Sequence, residues 1–222
     1  MKKIRLNEFI IVTATVLFSV ICGILTKDII LGIPLLVTGT LCSYYASLGK
    51  RISYVHGFIS LVLICFISFK NNLYGTTFFY TFLCIPLQII GFFSWKKHEK
   101  NDVVIQRILS PRKSITLIIS AISGSFALSF ILYLIPNQQL AFLDSSTNIA
   151  NICGIILINL RYKEAWWILL INNILDEIIW ILNTINHSEN SIMMLLSSSA
   201  YLLINIYAII KWYKQAKSQL QE

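Results

Sequence analysis

The chain has 222 residues, of which 56% are hydrophobic and only 13% are charged, and its formal net charge is +8. About a quarter of the residues of a soluble domain are charged, so this composition excludes an ordinary soluble globular protein. The positive charge lies in short loops, which indicates membrane topology rather than binding of nucleic acid.

Eight apolar runs follow one another along the chain, and each is long enough to predict a transmembrane helix. They cover residues 8–26, 29–47, 52–69, 73–94, 115–135, 138–160, 165–184 and 192–212. The first run follows a basic start but has no small-residue cleavage site, so we interpret it as an uncleaved helix. The pattern predicts an all-α integral membrane protein without a separate soluble domain.

Basic residues alternate with these runs. Eight spans would place all but two of the 18 Lys and Arg residues on one side, with only Lys27 and Lys70 on the other. Because basic loops stay in the cytoplasm, we predict that both termini are cytoplasmic and that the protein lies in the plasma membrane. The longest loop, 96–114, is interpreted as a solvated basic anchor at the inner surface.

A weak internal repeat is visible. Arg51 matches Arg161 in the turns after the second and sixth runs, and Trp95 matches Trp212, each preceded by an amide seven residues earlier. We expect two parallel three-helix repeats joined by a linker helix, one extra N-terminal helix, and a substrate site between the repeats. The boundaries are 1–28 for the N-terminal helix, 29–95 for the first repeat, 96–137 for the basic loop and linker helix, 138–213 for the second repeat and 214–222 for a cytoplasmic tail.

The seventh run is unusually polar for a span. Asp176 and Glu177 lie within it, and Asn173 shares a helical stripe with Trp166 and Glu177. A charged side chain at the bilayer centre costs roughly 2.5–3.5 kcal/mol even on lenient scales, and no Lys or Arg lies at similar depth. We therefore expect at least one acid to line a water-filled pathway. The alternative is that one of them lies near the outer surface.

Other runs carry fewer polar groups. A lone buried Gln such as Gln88 often links helices by hydrogen bonds, but its match to Asn205 favours a role in the site. At the start of the sixth run, Asp144 is expected to cap the helix, whereas Thr147 and Asn148 lie deeper and are candidates for binding.

Aromatic residues near the run ends are typical of the interfacial belt. We interpret Trp95 and Trp212 as belt residues, and Tyr80 and Tyr201 as core or belt residues, with Tyr80 also a candidate for the site. The sequence lacks the Walker A, His-Glu-x-x-His and Gly-x-Ser-x-Gly motifs, and its five cysteines show no Cys-x-x-Cys spacing. We therefore predict no enzymatic activity, cofactor, metal or disulfide.

At these positions the chain resembles the PnuC family of vitamin transporters. That family carries a Trp-x-x-Trp-x-x-x-Asn signature after a charged turn; Trp166 and Asn173 match it, whereas Leu169 replaces the second tryptophan. Residues 71–75 (Asn-Asn-Leu-Tyr-Gly) and 86–95 (Pro-Leu-Gln-Ile-Ile-Gly-Phe-Phe-Ser-Trp) are also family-like. The resemblance covers roughly the second to the eighth helix.

The resemblance implies a SWEET-like bundle that forms a homotrimer and moves a vitamin, such as nicotinamide riboside, by facilitated diffusion. Separate enzymes would trap the substrate by phosphorylation inside the cell, so no ATPase partner is expected. Trp166 would stack on the ring, amide side chains would bind ribose or amide groups, and Glu177 would favour a cationic ring. The candidate substrate-binding residues are Trp166, Asn173, Gln88, Asn148, Thr147, Asn205, Glu177, Tyr80 and Leu169.

Several alternatives stay open. Because Leu169 removes one aromatic wall, thiamine, riboflavin or a deoxynucleoside could be the substrate. A substrate-capturing subunit of an energised vitamin importer would require an ATPase partner for transport. An intramembrane enzyme would need paired acids, but Asp176 and Glu177 point about 100° apart on a helix. A purely structural membrane subunit would leave the acids unexplained.

Overall fold

The computed structural model describes residues 6–70, 80–134, 140–186 and 191–219, and these form eight helices and one short hairpin. The helices are α1 (Leu6–Leu25), α2 (Gly32–Ser47), α3 (Ile52–Lys70), α4 (Ile85–Lys97), α5 (Pro111–Tyr133), α6 (Ala141–Asn159), α7 (Ala165–Ile185) and α8 (Ser191–Gln219). The antiparallel strands β1 (Glu99–Lys100) and β2 (Val103–Val104) lie between α4 and α5. The architecture agrees with the predicted all-α membrane protein.

The outer faces of the helices are apolar and exposed. Four described helices combine the length and hydropathy of a membrane span, and the spans cover Pro111–Tyr133, Ala141–Asn159, Ala165–Leu182 and Met194–Gln219. Shorter apolar stretches lie in α1 and α3. α5 buries none of its residues, and its Phe130 is 68% exposed. Such a surface is stable against lipid but not against water, so the protein is a multi-pass membrane protein.

Six helices contact one another in a closed cycle. α2 contacts α3, α3 contacts α4, α4 contacts α6, α6 contacts α7, α7 contacts α8, and α8 returns to α2. α1 packs on α2, and α5 packs on α6. The candidate residues lie on helices of this cycle, apart from Tyr80, which lies in the turn that leads into α4.

The basic connecting segments meet at one end of the bundle, which we call the basic end. The backbone N–H of Val104 donates to the carbonyl of Gly49 at 2.9 Å, and that of Arg107 donates to the carbonyl of Arg161 at 2.8 Å. The turns after α2 and α6 and the segment between α4 and α5 therefore share one end. This proximity agrees with the grouping of basic loops that the charge pattern predicts.

The turns after α2 and α6 have the same backbone geometry. Gly49 and Arg161 each follow the last helical residue by two positions, and their φ angles are 70° and 68°. Glycine adopts this left-handed conformation freely, whereas other residues lose about 1–2 kcal/mol in it. By its distance from the preceding helix and its backbone conformation, Arg161 occupies the place of Gly49, whereas Arg51, with which the sequence pattern pairs it, lies two residues further on.

The chain enters α4 through a π-helical turn, Tyr80–Cys84. Pro86 follows within the first turn of α4, and because proline has no N–H, the carbonyl four residues earlier loses its helical partner. A wider turn is one way in which a helix accommodates such a loss. The predicted start of this helix at residue 73 and the family-like segment 71–75 lie outside the described residues.

α8 is longer than its apolar run predicts. It continues beyond residue 212 to Gln219, through residues that include Ala216 and several Lys and Gln. Ala, Lys and Gln are strong helix formers, so the helix continues beyond the apolar run that spans the membrane. The segment predicted as a cytoplasmic tail is thus helical up to Gln219.

Candidate functional site

Glu177 of α7 is bound by two hydroxyl groups of α8. Ser199 Oγ donates to Glu177 Oε1 at 2.6 Å, and Ser198 Oγ donates to the other carboxylate oxygen. Hydrogen bonds to a charged group are worth roughly twice those between neutral groups. Within the described residues the carboxylate is therefore compensated by hydroxyl donors and not by a cation, which the sequence pattern did not reveal.

Asp176 has an amide partner on its own helix. Asn172, which is buried, donates from Nδ2 to Asp176 Oδ2 at 3.0 Å. The same amide lies 3.4 Å from Asn173 Oδ1. Asp176 is also within electrostatic range of Asp144 of α6 and of Tyr80. The polar side chains of α7 thus extend towards α6 and towards the start of α4.

The first turns of α6 carry a local network. Asn148 Nδ2 donates to the carbonyl of Asp144 at 2.9 Å and to its carboxylate at 3.2 Å, and Thr147 Oγ1 donates to the same carbonyl at 2.8 Å. The prediction that Asp144 caps this helix is wrong. Leu140 holds the cap position in a left-handed conformation, and the backbone N–H of Asp144 already donates to the Leu140 carbonyl within the first turn.

Tyr201 of α8 lies inside the bundle and not in the interfacial belt. A Cβ atom at Gly39 of α2 would overlap the Tyr201 hydroxyl and would approach Ser60 Oγ of α3 to 3.4 Å. Glycine at position 39 is therefore required by the close approach of α8 to α2. Tyr80 is half-buried at the start of the π-helical turn and lies within electrostatic range of Tyr201.

Gln88 of α4 packs against α3. A Cβ atom at Gly57 would lie 2.8 Å from Gln88 Oε1 and 3.0 Å from Cys42 Sγ. Among the described residues, no hydrogen-bond donor reaches the buried Gln88 Oε1. Asn205 of α8, with which the sequence pattern pairs it, is also buried. A buried acceptor without a donor is costly, so Gln88 is an available group for a hydroxyl or amide of a ligand.

Four aromatic rings fill the interior at the basic end. We call them the aromatic cluster: Tyr54, Trp95, Trp166 and Trp212. Tyr54 packs edge-on against Trp95 with centroids 5.0 Å apart, and Trp166 packs edge-on against Trp212 at 5.7 Å. The two pairs meet where Trp95 and Trp212 lie 5.9 Å apart. Edge-to-face pairs contribute about 0.5–1.5 kcal/mol beyond their burial, so the cluster stabilises the packing of the helices at this end.

Trp95 and Trp212 are both 0% exposed, so their predicted place in the interfacial belt is wrong. Trp95 Nε1 donates to the carbonyl of Ile158 at the end of α6 at 3.0 Å. Trp212 Nε1 donates to the carbonyl of Ala46 at the end of α2 at 3.1 Å. The indoles reach these carbonyls because α4 packs on α6 and α8 packs on α2, which is a long-range property.

Trp166 is 2% exposed within the aromatic cluster, and its Nε1 atom has no hydrogen-bond acceptor among the described side chains and backbone. Leu169, one turn further along α7, packs against the cluster and against α6, where a Cβ atom at Gly154 would lie 2.8 Å from Leu169 Cγ. Asn173 is buried two turns from Trp166, about 10 Å along the helix axis.

The candidate residues therefore form groups at different depths. Trp166 and Leu169 lie together at the basic end, whereas Gln88 packs separately against α3. Tyr80 and Asn148 lie in the outer turns of their helices, the half of the bundle away from the basic end.

Two residues of this region were not among the sequence candidates. Tyr54 Oη donates to Asn159 Oδ1 at 2.8 Å, and Asn159 Nδ2 donates to the carbonyl of Leu87 in α4 at 2.8 Å. The pair passes over Gly91, where a Cβ atom would overlap both side chains. Asn159 is the last residue of α6, so its sequence position is typical of a simple helix end and gives no signal of this bridge.

The loop between α4 and α5 is also different from its predicted role as a solvated anchor. Val104 of its second strand is 0% exposed and packs into the aromatic cluster. The loop is basic and polar in composition, so only its position over the bundle end explains the burial of this valine.

A family model described as nicotinamide mononucleotide transporter matches residues 29–214. The nicotinamide riboside transporter PnuC of Neisseria mucosa is 29% identical over 188 residues, which cover 82% of this chain and 71% of that protein. The protein of the same description from Haemophilus influenzae is 29% identical over 185 residues, which cover 82% of this chain and 78% of that protein.

The fold is shared with a solved structure. The crystal structure of the vitamin B3 transporter PnuC superposes with a TM-score of 0.83 at 25% identity, covering 99% of this chain and 95% of that chain. The family model spans most of the sequence, and the shared fold extends over nearly all of it. The resemblance to PnuC proteins is thereby confirmed, and the chain belongs to the nicotinamide mononucleotide transporter family of multi-pass membrane proteins.

Proposed function

We propose that the protein is a uniporter that carries nicotinamide riboside, or a closely related vitamin, across the plasma membrane by facilitated diffusion. The agreement of the family model and of the solved PnuC structure along nearly the whole chain carries this proposal. We expect transport without an ATPase partner, and the lack of a nucleotide-hydrolysis motif in the sequence fits this expectation. Phosphorylation by a separate intracellular enzyme keeps the substrate gradient inward.

The proposed topology has eight spans with both termini in the cytoplasm. The basic end then faces the cytoplasm, because short basic loops are retained there. The acid-bearing part of α7 lies near the middle of the bilayer, where a polar group is expensive unless it serves a pathway. The family resemblance further suggests a homotrimer, for which the exposed apolar faces of the helices offer the surface.

Two parallel three-helix units, α2–α4 and α6–α8, form the transport core, with α5 as the linker and α1 as an addition. Matched contacts support this arrangement. The bond from Trp95 to Ile158 corresponds to the bond from Trp212 to Ala46. α1 packs on the first helix of one unit just as α5 packs on the first helix of the other.

The substrate site lies between the two units. Amides from both units line it and bind ribose and carboxamide groups: Gln88, Asn148, Asn173 and Asn205, with Thr147 and Tyr80 towards the outer end. Glu177 adds a negative charge that favours a cationic ring. Trp166 and Leu169 form the floor of the site. The indole face is covered by the aromatic cluster in this state, and it stacks on the ring once the two units have moved apart. Rocking of one unit against the other then exposes this site to each side in turn.

Counterflow in liposomes tests the proposed function. Purified protein would be reconstituted alone, the liposomes loaded with unlabelled nicotinamide riboside, and the entry of labelled riboside followed without ATP. We expect labelled riboside to accumulate transiently. Exchange of thiamine, riboflavin or a deoxynucleoside in place of nicotinamide riboside would reject the proposed substrate. A protein that binds the riboside but exchanges nothing would indicate a capturing subunit of an energised importer.

Trp166→Ala tests whether Trp166 forms the floor of the site. Trp167→Ala, at the adjacent residue, provides a matched control. Trp166 is 2% exposed, whereas Trp167 is 48% exposed and donates only to Tyr213 Oη. We expect Trp166→Ala to weaken binding at least tenfold, since stacking of a cation on an indole contributes about 0.5–2 kcal/mol and the aromatic cluster also loosens. Trp167→Ala should leave the dissociation constant unchanged in isothermal titration. Equal affinities of the two variants would remove Trp166 from the site.

A further inference from the structure

Residues 98–110, which we call the strap, cross the basic end of the bundle. The first part of the strap binds the turn after α2. The backbone N–H of Val104 donates to the carbonyl of Gly49 at 2.9 Å, and the Glu99 carboxylate lies 3.3 Å from Arg51 Nε. This part of the strap is therefore attached to the unit α2–α4.

The last part of the strap binds the turn after α6. Arg107 exchanges two backbone hydrogen bonds there: its N–H donates to Arg161 at 2.8 Å, and its carbonyl accepts from Lys163 at 3.1 Å. The N–H of Leu109 donates to Glu164 Oε2 at 3.0 Å. One short segment is thus attached at one end to the first unit and at the other end to the second.

The middle of the strap is held by side-chain amides of α8. Gln219 accepts from the backbone N–H of Gln106 at 2.9 Å and donates to the carbonyl of Val104 at 3.3 Å. Gln106 Nε2 donates to Gln215 Oε1 at 2.7 Å. These amides are partly exposed, so water can replace their bonds more readily than those of the backbone.

Val104 connects the strap to the interior. It is 0% exposed and packs with Trp95 and Trp212 of the aromatic cluster and with Ala208. The rings block the space between the helices, and the valine covers them from the basic end. Any solute that leaves through this end has to pass the aromatic cluster and then the strap.

We propose that the strap is a latch that holds the cytoplasmic exit of the transporter closed. Val104 is its seal, the side chain that covers the aromatic cluster, and the hydrogen bonds of Gln219 are the contacts that break when the exit opens. The inference rests on the proposed function, because it takes the two units to separate at the basic end during transport. Separation of the turns after α2 and α6 would stretch the strap, which spans both. The links to α8 open first, which lifts Val104 from the aromatic cluster.

Thiol accessibility in the absence of any substrate tests the latch. Ala208→Cys places a single thiol against the aromatic cluster, once the five native cysteines have been replaced. Inside-out membrane vesicles would be treated with a membrane-impermeant maleimide, and the labelling rate measured by mass shift. In this background Gln219→Ala removes two strap bonds, whereas the adjacent Ser218→Ala removes only a local bond to Gln215.

We expect Gln219→Ala to raise the labelling rate about fivefold or more over the Ser218→Ala control, since each lost bond weakens the closed state modestly. Val104→Ala keeps the backbone bonds but opens the seal, and it should also accelerate labelling. Equal rates in all three variants would overturn the latch, provided that thermal unfolding shows them folded. Right-side-out vesicles should label slowly throughout. Because no substrate is present, failure of riboside exchange would leave this result unaffected.

Discussion

At the scale of single residues, the acid on α7 depends on its hydroxyl partners. Ser198 and Ser199 each lie within hydrogen-bond distance of two acceptors, a carboxylate oxygen of Glu177 and the backbone carbonyl of Leu195. A hydroxyl has one proton, so in each case the shorter contact to the carboxylate is favoured. The serines therefore have an alternative acceptor, whereas the carboxylate depends on their protons.

Because, among the described residues, only the carboxylate lacks an alternative partner, removing the two serines should cost more stability than replacing Glu177. The double substitution Ser198→Ala with Ser199→Ala removes both donors that the described residues provide to this partly buried carboxylate, and it should lower the free energy of unfolding by about 3 kcal/mol. Glu177→Gln keeps an acceptor of the same shape and should cost about 1 kcal/mol or less. Thermal unfolding in detergent would compare the variants. A larger loss for Glu177→Gln than for the serine pair would contradict the assignment.

At the scale of the elements, the turn between α2 and α3 is where the strap meets the helices. Gly49 has a φ of 70°, and a Cβ atom there would lie 3.1 Å from Val103 Cγ1 of the hairpin. Both the backbone conformation and the approach of the hairpin therefore require glycine. The equivalent turn after α6 tolerates Arg161, whose Nη1 atom donates to the carbonyl of Ile105 in the strap at 3.2 Å.

Gly49→Ala should lower the free energy of unfolding by about 1–2 kcal/mol for the left-handed conformation of a residue with a Cβ atom. The contact of the new methyl group with Val103 adds to this loss. Chemical denaturation followed by tryptophan fluorescence would measure the loss. Adding Val103→Ala removes the steric contribution to this loss of stability. The loss that remains is the contribution of the backbone conformation. Full recovery in that double variant would show that the backbone conformation contributes nothing, against our expectation.

At the scale of the whole molecule, the two contacts that close the helix cycle, α2 with α8 and α4 with α6, join the proposed units. Each contact is made tight by a glycine. Gly39 admits the Tyr201 hydroxyl, and Gly91 admits Tyr54 and Asn159. A surface on which one unit rocks against the other needs such close approach, because large side chains would interlock and resist movement.

Gly39→Ala should overpack the contact between α2 and α8 and cost about 1–3 kcal/mol of stability, with slower riboside exchange. Tyr201→Phe removes the hydroxyl that the new methyl group meets. We therefore expect the double variant to be more stable than the sum of the single effects indicates, with a coupling of about 0.5–3 kcal/mol in a double-mutant cycle. Strict additivity would mean that the two residues do not touch.

The membrane class, the position of most helices and the grouping of basic segments at one end follow from the sequence alone, although α8 continues to Gln219, beyond its predicted end at residue 212. These features depend on local properties, the length of an apolar run and the charge of a loop, which need no knowledge of the rest of the fold. The signature around Trp166 and Asn173 also identified the family, because a motif is a local pattern.

The contacts of the polar and aromatic side chains, by contrast, depend on how the helices pack. Trp95 and Trp212 have the positions of belt residues in the sequence, but their partners lie on helices far away along the chain. Val104 lies in a basic loop and is nevertheless buried, because that loop crosses the bundle. The donors of Glu177 come from α8. A hydrogen bond or a buried contact requires that two groups lie close together in space. Groups on different helices are brought together by helix packing, which the pattern of one segment does not reveal.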